Sequence, residues 1–382
     1  MTREAEYMGR VSIVIHALNG GGSQRKTVVM ANKLATAGRH VTLITLDSVA
    51  TDSFQLDRVV RRIALDLMRE SHNLFQAAWN NWRRVRHLRR AIRESRPDTV
   101  ISVTEKMNIL TLLACCGLAL DVVIHETTNI RRHRVGRIWS WLRQRLYRRC
   151  SSLVVQTERA RLHARLLVPD KPVHVIANPV EIPDCAFMNQ FTADADDLSV
   201  VGMGRLVPEK GFDLLIRAFS QIHGKHPKWK LCILGDGPDQ PALEELSRRL
   251  DLEQWIDFTG WVSEPVAELR QADLFVLSSR YEGMPSALLE AMACGLPVIS
   301  CDCEAGPAEI IRDGVDGRLV AAEDVTGLAE VMDELMQNGD ARERLGAAAR
   351  DAMKRFGVRR FLRQWEAVLN GASEEEVSRI IE

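Results

Sequence analysis

The hydrophobic pattern of this chain alternates between two periods. Short runs rich in Val, Ile and Leu are each followed by a longer stretch in which apolar residues recur every three or four positions. Apolar runs of four to eight residues predict buried strands, and the longer stretches predict amphipathic helices packed against them. Strands are predicted at residues 11–17, 40–46, 59–65, 99–103, 122–125, 153–156, 173–176, 198–204, 229–234, 256–259, 272–278 and 297–300. Regular alternation of strand and helix predicts an α/β fold with parallel sheets.

Length and one polar segment predict two domains. A chain of 382 residues is long enough for two cores of ordinary size. Residues 178–197 are rich in Pro and polar residues, which is typical of a linker. We therefore expect Rossmann-like domains at residues 1–185 and 198–357, facing each other across a cleft, and a helical tail at 358–382. Helices of the second domain are predicted at residues 212–222, 242–250, 324–337 and 340–356.

Charge differs between the two halves of the chain. The net charge of the whole chain is zero, yet residues 1–190 hold 30 Lys and Arg and only 16 Asp and Glu. The remaining residues hold 21 Lys and Arg and 35 Asp and Glu. The first half is therefore expected to meet an anionic partner. No run of 18 apolar residues and no signal-peptide core occurs, so a cytoplasmic protein is expected. The eight cysteines lack paired zinc-ligand spacing and are expected to be reduced thiols.

Two predicted helical segments combine arginine with aromatic residues. Residues 79–96 contain seven arginines together with Trp79 and Trp82. Residues 131–149 contain eight arginines and no acidic residue, and the residues interleaved with them include Trp139, Trp141, Leu142, Leu146 and Tyr147. Such helices favour an anionic membrane surface. Nucleic acid is the rival partner, but no recognition module accompanies the helices, so none is expected. The third interpretation is a solvated helix whose aromatic residues belong to the core.

The most informative stretch is residues 281–300, which read YEGMPSALLEAMACGLPVIS. Pro285 is tolerated in the first turn of a helix but not in its interior, so a helix is predicted to begin there and to end near Gly295. Glu282 then lies in the loop before the helix, and Glu290 lies about five residues, or ~7 Å, along it. The free amides and dipole of a helix N-terminus favour a phosphate. The stretch therefore predicts a site for a sugar joined to a nucleotide diphosphate.

Loops that follow predicted strands in the first half carry further candidates. Ligands bind at the carboxyl ends of parallel strands, so His125, and with less support His16, would point into a cleft, or else serve as structural residues. Gly20, Gly21 and Gly22 follow the first strand. They would let backbone amides approach a phosphate, or simply form a tight turn.

The second half carries a pair of candidate cations. Arg205 and Lys210 flank a strand-to-helix loop, where they would neutralise a diphosphate. On position alone, they would be two exposed loop charges. Asp194 and Asp196 form a DxD metal pattern, but they lie in the acidic linker, so no metal site is expected there.

Together these motifs resemble the retaining glycosyltransferases of family 4, which have the GT-B fold. The resemblance rests on GRL followed by EKG at residues 204–211, GDGP at 235–238, and EGMP, EA and GLPV at 282–298. The glycine-rich loop and NPV at 178–180 match less specifically. The resemblance covers essentially the whole chain, and it is specific because the motifs occur in the family's order and spacing.

The resemblance implies a role for each matching residue. Glu282 would contact the donor sugar near the reacting carbon, and Glu290 would hold the ribose hydroxyls. Arg205 and Lys210 would bind the diphosphate and stabilise it as the leaving group, and His125 would lie near donor sugar and acceptor, although its HETTN setting departs from the commonest pattern. The other donor-binding positions are Gly21, Gly22, Val262, Gly283, Met284 and Leu289. The tail would cross back to the N-terminal domain.

The resemblance also implies an activity. It is retaining transfer of a hexose or N-acetylhexosamine from a nucleotide diphosphate sugar, most often a UDP-sugar, to a saccharide or lipid-linked acceptor in envelope polysaccharide biosynthesis, at the inner face of the cytoplasmic membrane. No metal or other cofactor is expected, because cations and a helix N-terminus would offset the charge of the leaving diphosphate. The anomeric configuration is expected to be retained because the acceptor attacks from the same face that the diphosphate leaves. The alternative mechanism is a covalent glycosyl-enzyme intermediate on Glu282. The alternatives are a nucleotide-sugar epimerase or phosphorylase-like enzyme with two Rossmann-like domains, and a non-catalytic protein that binds membrane or nucleic acid.

Overall fold

A computed structural model of the chain describes residues 9–69, 71–128, 136–181, 198–304 and 306–380. The chain forms two compact units. The first unit extends to Asn178 and resumes at Arg359, and the second spans Pro179–Val358. Most of the predicted linker, including Asp194 and Asp196, lies outside the described residues.

The first unit is built on one parallel sheet. Its strands are β1 (Arg10–Ile15), β2 (His40–Thr45), β3 (Arg61–Ala64), β4 (Thr99–Val103), β5 (Asp121–His125), β6 (Ser152–Val155) and β7 (Val173–Val175). The strand order is β3-β2-β1-β4-β5-β6-β7, with parallel pairing throughout. The order reverses between β1 and β4, and ligands bind at the carboxyl edge of such a switch point.

Helices cover both faces of this sheet. They are α1 (Gly22–Thr36), α2 (Leu74–Ser95), α3 (Glu105–Ala114), α4 (Arg137–Leu146) and α5 (Glu158–Leu167). Val14 and Val100 share one core with Leu88 of α2 and Met107 of α3. The opposite face of the sheet packs against α1 and against the C-terminal tail. Because both faces are covered, the strands are apolar along most of their length.

The second unit repeats this architecture with six strands. They are β8 (Leu198–Met203), β9 (Trp229–Leu234), β10 (Ile256–Gly260), β11 (Leu274–Leu277), β12 (Val298–Asp302) and β13 (Arg318–Ala321). The order is β10-β9-β8-β11-β12-β13, again with parallel pairs only. The switch point lies between β8 and β11, so the loops that follow these two strands are the expected ligand-binding loops.

The helices of the second unit follow its strands. They are α6 (Phe212–Ile222), α7 (Gln240–Arg249), α8 (Pro265–Gln271), α9 (Ser286–Ala293), α10 (Pro307–Ile310), α11 (Val325–Gln337), α12 (Gly339–Ala349) and α13 (Ala352–Arg355). A single turn of 3₁₀-helix, Pro208–Lys210, lies between β8 and α6. Phe219, Leu231, Val276 and Met332 are fully or almost fully buried in the core of this unit.

The tail consists of α14 (Val358–Leu369) and α15 (Glu374–Ser378). Phe361, Trp365 and Val368 recur at helical spacing and are buried against the first unit's core. A capping box between Ser373 and Glu376 begins α15. The tail therefore completes one face of the first sheet.

The parallel α/β prediction is confirmed, but two details of it are wrong. The single helix predicted at 340–356 is two helices, α12 and α13, and the chain turns between them where Asp351 pairs with Arg312 and Arg355. Gly371 adopts a positive φ and divides the helical tail into α14 and α15. Strand β13 was not predicted, because it has only four residues and begins with Arg318. Most other boundaries shift by one to a few residues, whereas those of α6 and β9 match the prediction.

Candidate functional site

A partly buried ion pair joins the two loops at the switch point of the second unit. Lys210 Nζ donates to Glu282 Oε1 at 2.6 Å. Ser279 Oγ donates to the same oxygen at 2.7 Å. The Glu282 side chain is 9% exposed and that of Lys210 is 27% exposed. Both hydrogen bonds go to Oε1, so Oε2 has no protein partner within the described part of the chain.

The local sequence explains why Lys210 lies at this position. Gly211 adopts φ 63°, which favours glycine, and ends the 3₁₀ turn that carries Lys210. A side chain at Gly211 would collide with the carbonyl oxygen of Ser278. The loop after β8 and the loop after β11 can therefore approach closely only because residue 211 is glycine. Ser278 Oγ also donates to the carbonyl oxygen of Lys210 at 3.1 Å.

Arg205 lies in the same loop as Lys210 but is placed differently. It is exposed, and its side chain makes no hydrogen bond or ion pair with any residue that the structure describes. Its neighbour Leu206 is buried and donates its amide to the carbonyl oxygen of Asp236 at 2.7 Å. This bond joins the GRL and GDGP motifs and restrains the backbone next to Arg205. The Arg205 guanidinium itself is accessible to solvent.

Helix α9 follows the Glu282 loop. It begins at Ser286, directly after the predicted start, and its N-cap is Pro285 without a side-chain cap. The first amides of a helix have no partner within the helix, so this N-terminus can accept an anion. Glu290 is the fifth residue of α9 and is half-buried.

The remaining predicted donor positions differ in accessibility. Met284 is 6% exposed and Leu289 is 1% exposed, so the Leu289 side chain belongs to the core. Gly283 and Val262 are half-buried. Donor binding by these four residues stays a prediction.

The glycine loop of the first unit ends at the N-terminus of α1. Gly21 is the N-cap, with φ 117° and no side-chain cap, and Gly22 is the first helical residue. Ser23 Oγ donates to Thr127 Oγ1 at 3.3 Å, which joins this loop to the loop after β5. The arrangement places uncapped amides at the carboxyl edge of the first sheet.

His16 lies at the same edge of the first sheet, directly after β1. Its Nε2 is 3.2 Å from Gln24 Nε2 of α1. Burial lowers the pKa of His16, although the charge of Asp47 opposes this effect. The structural interpretation of His16 is therefore supported by its contact with α1.

His125 lies at the end of β5 and is 7% exposed. Its ring packs edge-on against Trp365 of α14, with 5.3 Å between ring centroids. Burial, and then the positive charge of Lys26, lower the pKa of His125 to about 3. The imidazole is therefore neutral at neutral pH. Its Nε2 is buried and has no hydrogen-bond partner among the described residues.

A buried polar cluster beside His125 was not predicted from the sequence. Tyr147 donates its hydroxyl to Glu126 Oε2 at 2.7 Å, and Asn108 Nδ2 lies 3.3 Å from the Tyr147 oxygen. Arg143 of α4 pairs with Glu105 of α3 at 2.5 Å. Burial, and then the charge of Glu126, raise the pKa of Glu105 to about 7 despite this partner. The available signal was Glu126 in HETTN, directly after the strand.

The arginine-rich helices expose part of their aromatic content. Trp79 and Trp82 are 59% and 50% exposed and stack with 4.9 Å between ring centroids. Trp141 of α4 is 57% exposed, whereas Leu146 and Tyr147 are buried in the core. The core interpretation is thus correct for the last two residues and wrong for the three tryptophans. Residues 131–135 of the second segment lie outside the described residues.

One exposed face of α2 is named here the outer stripe. It consists of Phe75, Trp79, Trp82, Arg86, Arg90 and Arg93. The spacing of three or four residues places them along one side of the helix, with the aromatic residues toward its N-terminus. The Arg86 guanidinium lies 5.4 Å from the Trp82 ring centroid. Across the described ranges, no helix is long and apolar enough to cross a membrane.

The comparisons with known proteins agree with these motifs. Residues 20–182 match the family model described as Glycosyltransferase Family 4, and residues 186–352 match the model described as Glycosyl transferases group 1. An α-1,4-N-acetyl-D-galactosaminyltransferase of Campylobacter jejuni is 26% identical over 94% of this chain and 97% of its own length. The amylovoran biosynthesis glycosyltransferase AmsD of Erwinia amylovora is 26% identical over 95% of this chain and 100% of its own.

A solved structure shows the same fold. HepE of Anabaena, in complex with UDP and glucose, matches with a TM-score of 0.78 and 18% identity over 95% of this chain and 100% of that one. Both halves of the chain match family models, and relatives align over nearly its whole length. The chain therefore belongs to glycosyltransferase family 4, has the GT-B fold and is a glycosyltransferase.

Proposed function

We propose that this glycosyltransferase moves a hexose or N-acetylhexosamine, with retention of configuration, from a UDP-sugar to a lipid-linked saccharide during surface polysaccharide assembly. The observation that carries the donor part is the Lys210–Glu282 pair, which lies in the two loops at the switch point of the second sheet. Support also comes from HepE, whose structure holds UDP and glucose, and from the Campylobacter relative, whose name specifies a PP-undecaprenol acceptor.

The donor would occupy the carboxyl edge of the second unit. Arg205 and Lys210 bind the diphosphate, together with the N-terminus of α9. Glu282 orients the sugar through Oε2, and Glu290 binds the ribose hydroxyls. The surrounding wall is formed, through backbone or side chain, by Val262, Gly283 and Met284.

The reaction then needs no group beyond these residues and the two substrates. The bond between the anomeric carbon and the diphosphate oxygen breaks, and its electron pair leaves with the diphosphate. The acceptor hydroxyl attacks the same face and transfers its proton to the departing phosphate. Arg205 and Lys210 stabilise the developing negative charge, and Glu282 stabilises the positive charge at the anomeric carbon. No metal or cofactor takes part in this proposal.

The acceptor would reach the first unit from a membrane surface. Helices that follow parallel strands begin at the carboxyl edge of the sheet, so the aromatic end of the outer stripe lies toward the edge that carries His125. The aromatic residues suit the membrane interface and the arginines suit anionic headgroups. Neutral His125 is proposed to contact the acceptor.

Thermal unfolding with UDP and UDP-sugars tests the donor part. A ligand at 100 times its Kd stabilises the folded state by about 2.7 kcal/mol, so UDP should raise the melting temperature. Arg205→Ala should weaken UDP binding by about 10- to 150-fold, because charged hydrogen bonds contribute about 1.5–3 kcal/mol. Arg249→Ala, an exposed arginine of the same unit, is the matched control. Absence of protection of the wild type by every UDP ligand would contradict the proposed donor.

A further inference from the structure

We propose that Arg280 is a positioning residue that holds Lys210 and Glu282 in register, an inference that rests on the proposed donor site. Lys210 and Glu282 are separated by 72 residues, so their alignment depends on how the loop after β8 meets the loop after β11. Arg280 lies in the second loop, two residues before Glu282, and its contacts are made to the first loop, to α6 and to Glu323.

The guanidinium of Arg280 holds the first loop from its outer side. Nη1 and Nη2 donate to the two carboxylate oxygens of Asp213 at 2.8 and 2.7 Å, and Nη1 also donates to the carbonyl oxygen of Pro208 at 2.7 Å. Pro208 begins the 3₁₀ turn that ends at Lys210, and Asp213 lies in the first turn of α6. One side chain therefore fixes both ends of the segment that carries Lys210.

Backbone contacts continue the connection. The Arg280 amide donates to the carbonyl oxygen of Glu209 at 2.8 Å, next to the bond that Ser278 makes to Lys210. These bonds and the Arg280 side chain connect each residue of the turn to the loop of Glu282. Without the Arg280 guanidinium, the hydrogen bonds that Glu209 and Lys210 accept would remain, but the two ends of the 3₁₀ turn would lose their side-chain contacts. The turn could then shift, and Lys210 Nζ would no longer be fixed relative to Glu282.

Arginine suits this position better than lysine. A planar guanidinium can bind both oxygens of a carboxylate and a third acceptor at fixed angles, whereas an ammonium acts as a point charge. Arg280 does not itself contact Glu282. It lines a surface pocket with Asp213 and Arg217, and neither Lys210 nor Glu282 lines that pocket. The residue therefore acts through Lys210 rather than on the donor.

The test compares Arg280→Ala, Arg280→Lys and Asp213→Asn in the full chain, with Arg217→Ala as a control from the same pocket. The rate of UDP release from UDP-glucose, UDP-galactose and their N-acetylated forms is measured, together with UDP binding and the melting temperature. A misplacement of about 1 Å can cost up to about 100-fold in rate. Arg280→Ala should therefore lower kcat at least about tenfold, Arg280→Lys should not restore it, and the control should match the wild type.

A second arm separates positioning from a general structural role. In a Lys210→Ala background, Arg280→Ala should lower kcat by less than about twofold, because its effect passes through Lys210. Equal losses in both backgrounds, or full activity of Arg280→Ala, would overturn the inference. Absence of UDP binding and of UDP release with the wild type would instead contradict the proposed function, so the two failures are distinguishable.

Discussion

At the scale of single residues, burial shifts the pKa values of His125 and Glu105 in opposite directions. His125 is held neutral, with a pKa of about 3. Glu105 titrates near neutral pH, with a pKa of about 7. In both groups burial is the largest cause, because it disfavours the charged form of either residue. The charge of the first unit's polar cluster therefore changes near neutral pH.

Glu105 should give stability a specific pH dependence. Its folded pKa lies above the ordinary value of 4.5, so between about pH 4.5 and 7 the folded state binds more protons than the unfolded state. Stability from this group therefore falls as pH rises through that range and is level above it. Glu105→Gln should remove this fall, as measured by melting temperature from about pH 5 to 8.

The control for that prediction is Glu94→Gln, since the Glu94 side chain is 52% exposed. The difference in melting temperature between Glu105→Gln and the wild type should grow with pH, whereas the control's difference should stay level. A level difference for Glu105→Gln would contradict the raised pKa.

At the scale of elements, α14 is part of the first unit's core. Trp365 is fully buried, and its ring contacts His125 and Phe361. Through this contact, α14 packs against the end of β5, where the candidate site residue His125 lies.

Trp365→Ala should destabilise the first unit by about 3–5 kcal/mol, the usual cost of truncating a buried aromatic residue. Chemical denaturation followed by circular dichroism measures this change. Trp79→Ala, which truncates an exposed tryptophan of the same unit, should cost less than about 1 kcal/mol. Equal effects of the two substitutions would show that α14 does not contribute to the core as described.

Much of the architecture could be predicted from local patterns. Apolar periodicity predicted α6 and β9 to the residue, because each is long and strongly patterned. It did not predict β13, whose four residues carry a weak signal, or the turn at Asp351, which depends on an arginine distant in sequence. The same limit applies to the site. The roles of Ser279 and Arg280 depend on contacts between two loops, and no local pattern encodes such contacts.

At the scale of the whole molecule, the basic first half of the sequence forms most of the first unit. The outer stripe of α2 and exposed Trp141 are in the first unit, which is the basic half of the chain. The Lys210–Glu282 pair is in the second unit. The proposal accordingly assigns the membrane-borne acceptor to the first unit and the nucleotide sugar to the second.

Flotation with vesicles of phosphatidylethanolamine and phosphatidylglycerol tests the membrane part. The wild type should bind at low salt and dissociate as salt screens the arginines. Removal of two interfacial aromatic side chains, in Trp79→Ala with Trp82→Ala, should weaken binding about tenfold or more. Trp261→Ala, which removes an exposed tryptophan of the second unit, should bind as the wild type does. No binding of the wild type at low salt would contradict the proposal.

The most direct test of the central claim is the rate of sugar transfer from UDP-sugars to an envelope lipid extract, compared between the wild type and Glu282→Gln. The substitution keeps the shape of the side chain but removes the charge that would stabilise the anomeric carbon. Removal of one such electrostatic contact costs about 100- to 1,000-fold in kcat, so a loss of that size is predicted, with UDP binding largely kept. Full transfer activity of Glu282→Gln would contradict the account.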